Sequence, residues 1–228
     1  TQLLPEEDPE AVRWLTRRFQ AEGMSIRTGA TVRQLTSSGS GVSASLSDGT
    51  SVSAERCLIA IGQRPNLAGL QLDRASVVTG EGVTVDARLR SSQPHIAAIG
   101  DCLERHGLAH WAAAEGAVAV RNLLGDPPES VDPLEVPRCI FTEPEIAQIG
   151  TVDERAEGTR VSRISFGALG KGHCDDETEG FVKLIVDAAT DRVRGATIIG
   201  AQASAVIHAA GLAIHHGLTA KQLARTIT

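Results

Sequence analysis

The sequence predicts an α/β protein whose first half contains parts of open sheets and whose second half is an α+β domain. Two observations predict the first half. The apolar segment 57–61 is followed by Gly62, and the apolar segment 95–99 is followed by Gly100. Strands of open α/β sheets end in such turns at the edge where nucleotides bind. A third observation predicts the second half, since strand-like segments in residues 137–200 are followed by helical ones. We therefore expect partial nucleotide-binding, Rossmann-like sheets followed by an α+β domain.

The composition is typical of a globular protein and argues against nucleic-acid and membrane-spanning roles. Hydrophobic residues make up 42% of the 228 residues, which is enough to fill a core. The net charge of −6 and the lack of a long basic run argue against a nucleic-acid partner. No signal peptide is visible, and no apolar run reaches the roughly 18 residues that a membrane span needs. The 4 cysteines form no close pair, which suits a reducing compartment, so we expect a cytoplasmic protein.

The first 65 residues are expected to form one helix and a small β-meander. The helix begins at Asp8 and Pro9, which are a capping carboxylate and a proline in the first turn. Its apolar face is formed by Val12, Leu15 and Phe19. Short strands are predicted at 24–27, 31–35, 42–46 and 51–52. They precede an apolar strand at 57–61, in which we expect Cys57 to be buried.

Residues 66–130 are predicted to alternate turns and strands before a helix rich in small residues. Strands are expected at 83–86 and 95–99, followed by a helix from about Ala109 to Leu124 that stops at Gly125. The segment Asp126-Pro127-Pro128 breaks regular structure, so a domain boundary is placed near residue 130.

The last part of the chain is predicted to form a sheet followed by two helices. The helices are expected over 203–216 and from Thr219 onward. The expected strands cover 138–141, 146–149, 161–166, 181–186 and 193–199. Residues 173–177 (His-Cys-Asp-Asp-Glu) contain metal-ligand types, but they fall in a predicted loop, and adjacent residues do not all converge on one ion. We therefore predict a solvated loop and no metal site.

Gly100-Asp101 is the segment with the clearest functional signal. A carboxylate at the end of an apolar strand lies at the sheet edge where cofactors bind, and the helix that follows opens with free backbone N–H groups. The alternative is an ordinary loop-capping aspartate, because the dipeptide alone is a weak motif.

Several segments together resemble one known family. They are Leu4–Glu10, Ala60–Asn66, Ala98–Asp101, Phe141–Ala147 and Glu179–Leu184. In this order and spacing they resemble the second half of the pyridine nucleotide–disulfide oxidoreductases, in the dihydrolipoamide dehydrogenase and mercuric reductase branch. The resemblance covers essentially all 228 residues.

The resemblance implies three parts and two cofactors. Residues 1–65 correspond to the end of an NAD(P)-binding domain, 66–130 to the end of an FAD-binding domain, and 131–228 to a dimerisation domain. It implies a homodimer formed through 131–228. Such enzymes pass electrons from NAD(P)H through FAD to a small-molecule or protein disulfide, or to Hg(II).

The resemblance also implies roles for individual residues at the FAD site. The Asp101 carboxylate would accept a hydrogen bond from the FAD ribityl chain, as a buried aspartate needs such donors. Gly100 would allow close approach of the backbone. The isoalloxazine ring would lie beside Gly107, Leu108, Ala109 and His110. For the side chain of His110, an ordinary, partly buried histidine without a flavin contact is an equal alternative.

Two residues of the first part are implied to lie near the nicotinamide nucleotide. Gly62 would approach the nucleotide from the end of a strand. Val32 matches a position beside the adenosine half, with a plain strand-core valine as the alternative.

The sequence offers no catalytic residue. The family's G-x-G-x-x-G phosphate loop, its redox-active cysteine pair and its His-Pro segment are not found in these residues. We therefore expect an internal or processed part of a longer enzyme that is inactive alone. The alternatives are a catalytically inactive dimerisation module with a partial FAD site, and a relative of flavin NADH oxidases or peroxidases.

Overall fold

The computed structural model describes residues 2–39, 41–104 and 107–226. Within these residues the chain is a mixed α/β protein with a 3-stranded and a 5-stranded sheet, and both sheets are antiparallel. It divides into two compact units, Thr1–Gly62 and Gln63–Thr228. The division into NAD(P)-binding, FAD-binding and dimerisation parts at residues 65 and 130 stays a prediction, since the two compact units do not test it.

The unit Thr1–Gly62 contains the predicted helix and β-meander. Helix α1 spans Pro9–Ala21, and the Asp8 carboxylate accepts the N–H groups of Glu10 and Ala11 at 2.8 and 3.2 Å. This capping satisfies backbone donors that have no partner inside the helix. The meander consists of β1 (Val32–Ser38), β2 (Gly41–Leu46) and β3 (Ser51–Ala54), in the order β1-β2-β3.

The predicted strands at 24–27, 57–61, 83–86 and 95–99 are wrong. Among the described residues these segments form at most the isolated bridges of Val83 with Thr79 and of Ala97 with Arg90. A strand needs a hydrogen-bonded neighbour, and apolar composition supplies none by itself. In the segment 57–61, Leu58 is 89% exposed and Cys57 is exposed too, so the prediction of a buried Cys57 is also wrong.

The first part of the unit Gln63–Thr228 is organised by helix α2, Ala109–Leu124. The bounds of α2 agree with the prediction, and Gly125 closes it with a left-handed φ of +92°. A core cluster lies against its inner face and contains Val77, Val83, Leu89, Leu103, Val118 and Ala119. The buried Asn122 holds the segment after the helix, because its side chain bonds both the N–H and the carbonyl of Glu129.

The 5-stranded sheet has the order β4-β5-β8-β7-β6. Its strands agree with the predicted ones to within one or two residues, and a helix, α4 (Ala203–His215), packs on one face. They are β4 (Arg138–Ile140), β5 (Glu145–Gly150), β6 (Thr159–Ser165), β7 (Phe181–Asp187) and β8 (Val193–Gly200). The core between helix and sheet includes Ala147, Ile149, Ala196, Ile198, Ala203 and Ile207.

Two short helices complete this part. Helix α5 (Ala220–Leu223) starts with a capping box formed by Thr219 and Gln222. Helix α3 (Gly170–Asp175) lies where a loop was predicted for residues 173–177, so that prediction is wrong for its first residues. An exposed ion pair between Lys171 and Asp175, one turn apart, adds a small stabilisation to this helix.

Candidate cofactor site

The Gly100-Asp101 segment forms a tight turn that is held by helix α2. Residues Gly100–Cys102 make a single 3-10 turn, closed by the Leu103 N–H donating to the Gly100 carbonyl at 2.9 Å. Gly100 has a φ of +67°, a conformation that favours glycine. Its N–H donates to Glu115 Oε2 at 2.7 Å. The turn therefore has a fixed position relative to α2.

Asp101, Gly107 and Gln63 lie together on one side of this turn. A Cβ placed on Gly107 would lie 2.7 Å from Gln63 Nε2 and 3.0 Å from Asp101 Oδ2. The three residues border an open cavity of about 440 Å³. Its other lining residues are Arg64, Pro65, Asn66, Glu81, Cys102, Leu103 and Glu104. Any side chain at position 107 would fill the space in front of the carboxylate.

Asp101 is exposed, so the expectation of a buried carboxylate is wrong for this chain. The reason is geometric, because Asp101 lines the open cavity instead of facing the core behind the turn. An exposed carboxylate costs nothing in desolvation and offers several acceptor positions.

The residues predicted to lie beside a flavin ring occupy the start of α2. Leu108 is the N-cap residue, and no described side chain caps the helix there. The uncapped end concentrates backbone N–H donors and the positive end of the helix dipole, which favour an anion. His110 is exposed, and its Nε2 lies 2.7 Å from the Pro137 carbonyl oxygen. This hydrogen bond joins the first turn of α2 to the segment that enters β4.

Val32 and Gly62 both belong to the other unit. Val32 is the first residue of β1 and is 51% exposed, so it is not a core valine in this chain. Gly62 is exposed and has a φ of +105°. The roles of Gly62 and Val32 toward a nucleotide stay predictions.

Glu115 is the residue that the sequence analysis missed. It is 1% exposed, and it is an acidic residue in the middle of a helix of mostly small apolar side chains. An acid on the buried face of such a helix was the signal available. Buried carboxylates need partners, which here include the Gly100 N–H.

Residues 173–177 and the histidines of α4 make local contacts. His173 Nε2 lies 2.9 Å from the Gly167 carbonyl oxygen, and His215 Nδ1 lies 2.7 Å from Glu135 Oε2. Across residues 2–39, 41–104 and 107–226, no three His, Cys, Asp or Glu side chains are grouped so that they could hold a metal ion. Within the same ranges, none of the helices combines the length and apolarity needed to cross a membrane.

Comparison with known proteins assigns the fold to a family. Residues 1–116 match the family described as pyridine nucleotide-disulphide oxidoreductase, and residues 136–228 match its dimerisation domain. The chain therefore belongs to the pyridine nucleotide-disulphide oxidoreductase family. Enzymes of this family use FAD and NAD(P)H.

The similar curated proteins include several dihydrolipoyl dehydrogenases. The chain is 37% identical to the one from Chlorobaculum tepidum over 99% of its own length and 50% of that protein. It is 33% identical to one from Bacillus subtilis, with the same two coverages. The chain thus spans about half the length of the curated relatives it matches.

Solved structures agree with this assignment. The crystal structure of LpdA from Mycobacterium tuberculosis superposes with a TM-score of 0.92 at 29% identity, covering 98% of this chain and 50% of that one. The flavoprotein disulfide reductase RclA from Escherichia coli, solved as a Cu(II) complex, has the same fold with a TM-score of 0.92 at 24% identity. That match covers 100% of this chain and 53% of RclA.

Proposed function

We propose that the full-length protein is an FAD-dependent NAD(P)H:disulfide oxidoreductase of the dihydrolipoyl dehydrogenase type. In this proposal the present chain supplies one wall of the FAD site, part of the nicotinamide nucleotide site and the dimerisation domain. The observation that carries it is the grouping of Asp101, Gly107 and Gln63 in front of helix α2. That grouping occurs in a chain whose similar proteins include dihydrolipoyl dehydrogenases over half their length.

The described residues fit the ribityl part of FAD. An ionised carboxylate only accepts hydrogen bonds, and the ribityl chain carries hydroxyl donors, so Asp101 has the matching chemistry. The space in front of Asp101 Oδ2 is kept open because position 107 has no Cβ. Gln63 adds an amide that both donates and accepts at the same place.

The start of helix α2 fits the pyrimidine edge of a flavin. FAD supplies the redox chemistry, by accepting a hydride from NAD(P)H and passing the electrons to a disulfide. The backbone N–H groups around Leu108, Ala109 and His110 would stabilise negative charge that develops on that edge. The contact of His110 with the Pro137 carbonyl holds this first turn in position.

The remaining parts of the proposal concern the nucleotide and the partner. Gly62 and Val32 would line the NAD(P) site, where the exposed glycine permits close approach of the cofactor. Residues 131–228 would form a homodimer, which the match of 136–228 to the dimerisation domain supports.

The first experiment measures flavin content and turnover of the full-length protein. We expect purified protein to carry one FAD per chain and to reduce lipoamide with NADH or NADPH. Hg(II), oxygen and hydrogen peroxide are run as the competing acceptors, because each tests a different branch of the family. A protein without flavin and without pyridine-nucleotide turnover would contradict the proposal, and it would support an inactive dimerisation module.

A matched pair of variants tests the site itself. Asp101→Ala is expected to weaken FAD binding by about tenfold or more, because it removes a charge-assisted hydrogen bond. Asp73→Ala removes an exposed carboxylate elsewhere in the same unit and should bind FAD as the wild type does. Equal FAD affinity of both variants would contradict the role of Asp101.

A further inference from the structure

Glu115 is a buried carboxylate that the proposed chemistry does not use directly. It is 1% exposed, whereas Asp101 nearby in the fold is exposed. Burying a carboxylate is costly unless hydrogen bonds offset the lost hydration. An apolar side chain of similar size would fill the space without that cost. The placement of Glu115 therefore calls for an explanation in terms of what its carboxylate holds.

The carboxylate holds the peptide that precedes Asp101. Glu115 Oε2 accepts the Gly100 N–H at 2.7 Å, a short distance typical of a charge-assisted bond. The turn also lies close to α2, because a Cβ on Gly100 would be only 2.9 Å from Ala112 Cβ, so position 100 has no room for a side chain. Ala112 and Glu115 are three residues apart and so share one helix face. Helix α2 thus holds the turn by the hydrogen bond from Glu115, and the close approach of Ala112 restricts position 100 to glycine.

The turn determines where the Asp101 carboxylate lies. Asp101 follows Gly100 in the same 3-10 turn, so a rotation of the Gly100 peptide would move the Asp101 side chain with it. With the turn as it is, Asp101 Oδ2 lies 3.0 Å from the position that a Cβ on Gly107 would take. The peptide N–H accepted by Glu115 is therefore the link between a buried residue of α2 and a carboxylate at the cavity.

We propose that Glu115 is a positioning residue for cofactor binding, which acts by holding the Gly100 peptide so that Asp101 faces the cavity. This inference rests on the proposed function, because FAD is the ligand that Asp101 is proposed to bind. Glu115 itself does not line the cavity. Its effect on FAD is therefore expected to pass through Asp101.

The experiment measures the FAD dissociation constant of the full-length apoprotein by flavin fluorescence quenching, together with thermal unfolding without FAD. Glu115→Ala should weaken FAD binding by about tenfold, because it removes the acceptor of the Gly100 N–H. Glu115→Gln keeps an acceptor of similar reach, so it should restore most of the affinity. Asn122→Ala is the control. Asn122 is also a buried polar residue of α2, but it bonds the backbone of Glu129, so its loss should leave the FAD dissociation constant unchanged.

A double variant separates positioning from general destabilisation. If Glu115 acts through Asp101, Glu115→Ala should have little further effect on FAD affinity in an Asp101→Ala background. Fully additive losses would overturn the inference, and so would unchanged FAD affinity in a folded Glu115→Ala protein. If that variant does not fold, Glu115→Asp, whose shorter side chain draws the carboxylate away from the Gly100 N–H, takes its place in the same cycle with Asp101→Ala. A wild-type protein that binds no FAD would overturn the proposed function, and this inference with it.

Discussion

Asp101 and Glu115 are two carboxylates joined to one tight turn, and their surroundings differ completely. Glu115 is 1% exposed and accepts a backbone N–H, whereas Asp101 opens on a cavity of about 440 Å³. The first is suited to fix geometry and the second to meet a ligand with hydroxyl donors. The surroundings of each carboxylate, and not the residue type, therefore decide which one is suited to bind a ligand and which one to position the turn.

Cys139 gives a prediction at the same scale. Burial, with the Glu145 charge as the second cause, raises the pKa of the Cys139 thiol. The reactive thiolate is therefore scarce at neutral pH. We expect iodoacetamide at pH 7.5 to modify Cys139 on the order of tenfold more slowly than the exposed Cys174. Mass-resolved labelling, with Cys139→Ser to identify the slow site, measures this, and equal rates would refute it.

At the scale of elements, helix α2 connects three features of the fold. Its first turn contacts the segment before β4 through His110, and its middle holds the Gly100 turn through Glu115. Its last turn holds the backbone of Glu129 through Asn122. Small residues such as Ala112 allow the close approach of the helix to the turn. Helix α2 thus both holds the candidate site in position and contributes side chains to the core.

The last turn of α2 provides a stability prediction. Asn122 is 3% exposed, and its side chain makes bonds to the Arg88 carbonyl and to both backbone groups of Glu129. Asn122→Ala should lower the free energy of unfolding by about 2–3 kcal/mol, because three part-buried hydrogen bonds of its side chain are lost. Urea unfolding measures this. The exposed Asn66→Ala serves as control, and a loss for Asn122→Ala no larger than that of the control would contradict the prediction.

The β7–β8 hairpin provides a pH prediction. Hydrogen bonds from the Thr190 N–H and hydroxyl, helped by the Arg194 charge, hold the pKa of Asp187 below 3.8, the ordinary value for an aspartate. A lowered pKa means that the ionised carboxylate stabilises the fold at neutral pH, and that this contribution is lost as the pH falls below about 3.8. Asp187→Asn should therefore lower the Tm at pH 6 and approach the wild-type value near pH 3.

Thermal unfolding from pH 6 to pH 3 tests the hairpin prediction. Asp73→Asn, an exposed site far from this hairpin in sequence, is the control and should keep a constant small offset from the wild type. A Tm difference for Asp187→Asn that does not change with pH would show that the charge is not responsible.

In the whole molecule, the 5-stranded sheet and the apolar segment 57–61 differ in whether they have strand partners among the described residues. The 5-stranded sheet finds every strand partner in residues 138–200 and is covered by α4 on one face. The apolar segment 57–61, in contrast, is exposed and has no strand partner among the described residues.

The proposed dimer gives a prediction at this scale. Leu212 lies on the side of α4 away from the sheet and is 61% exposed within the dimerisation domain match. Leu212→Asp should weaken the dimer by about tenfold or more, because a charge replaces apolar contact area. Leu70→Asp changes an exposed leucine outside residues 131–228 and is the control. Light scattering over a concentration series measures both, and a monomeric wild type would contradict the prediction.

Prediction from sequence succeeded where the pattern is local and failed where a partner is needed. The caps at Asp8 and Gly125 and the bounds of α2 follow from residues within one or two turns. The strands of the 5-stranded sheet were found as apolar segments bounded by turns, although β5 pairs with β8 through residues as far apart in sequence as Ile146 and Ile199. The segments 57–61 and 95–99 have the same apolar composition, but composition does not show whether a neighbouring strand exists.

The family, helix α2, the strands within residues 138–200 and Asp101 as a candidate residue could all be predicted from the sequence. The exposure of Asp101 and the nearness of Gly107 and Gln63 to it became visible in the folded chain. So did the hydrogen bond by which Glu115 holds the Gly100 turn. The physical reason is distance along the chain. Caps and periodic faces are encoded by neighbours, whereas the contact of Glu115 with Gly100 depends on how a helix packs against a turn 15 residues away.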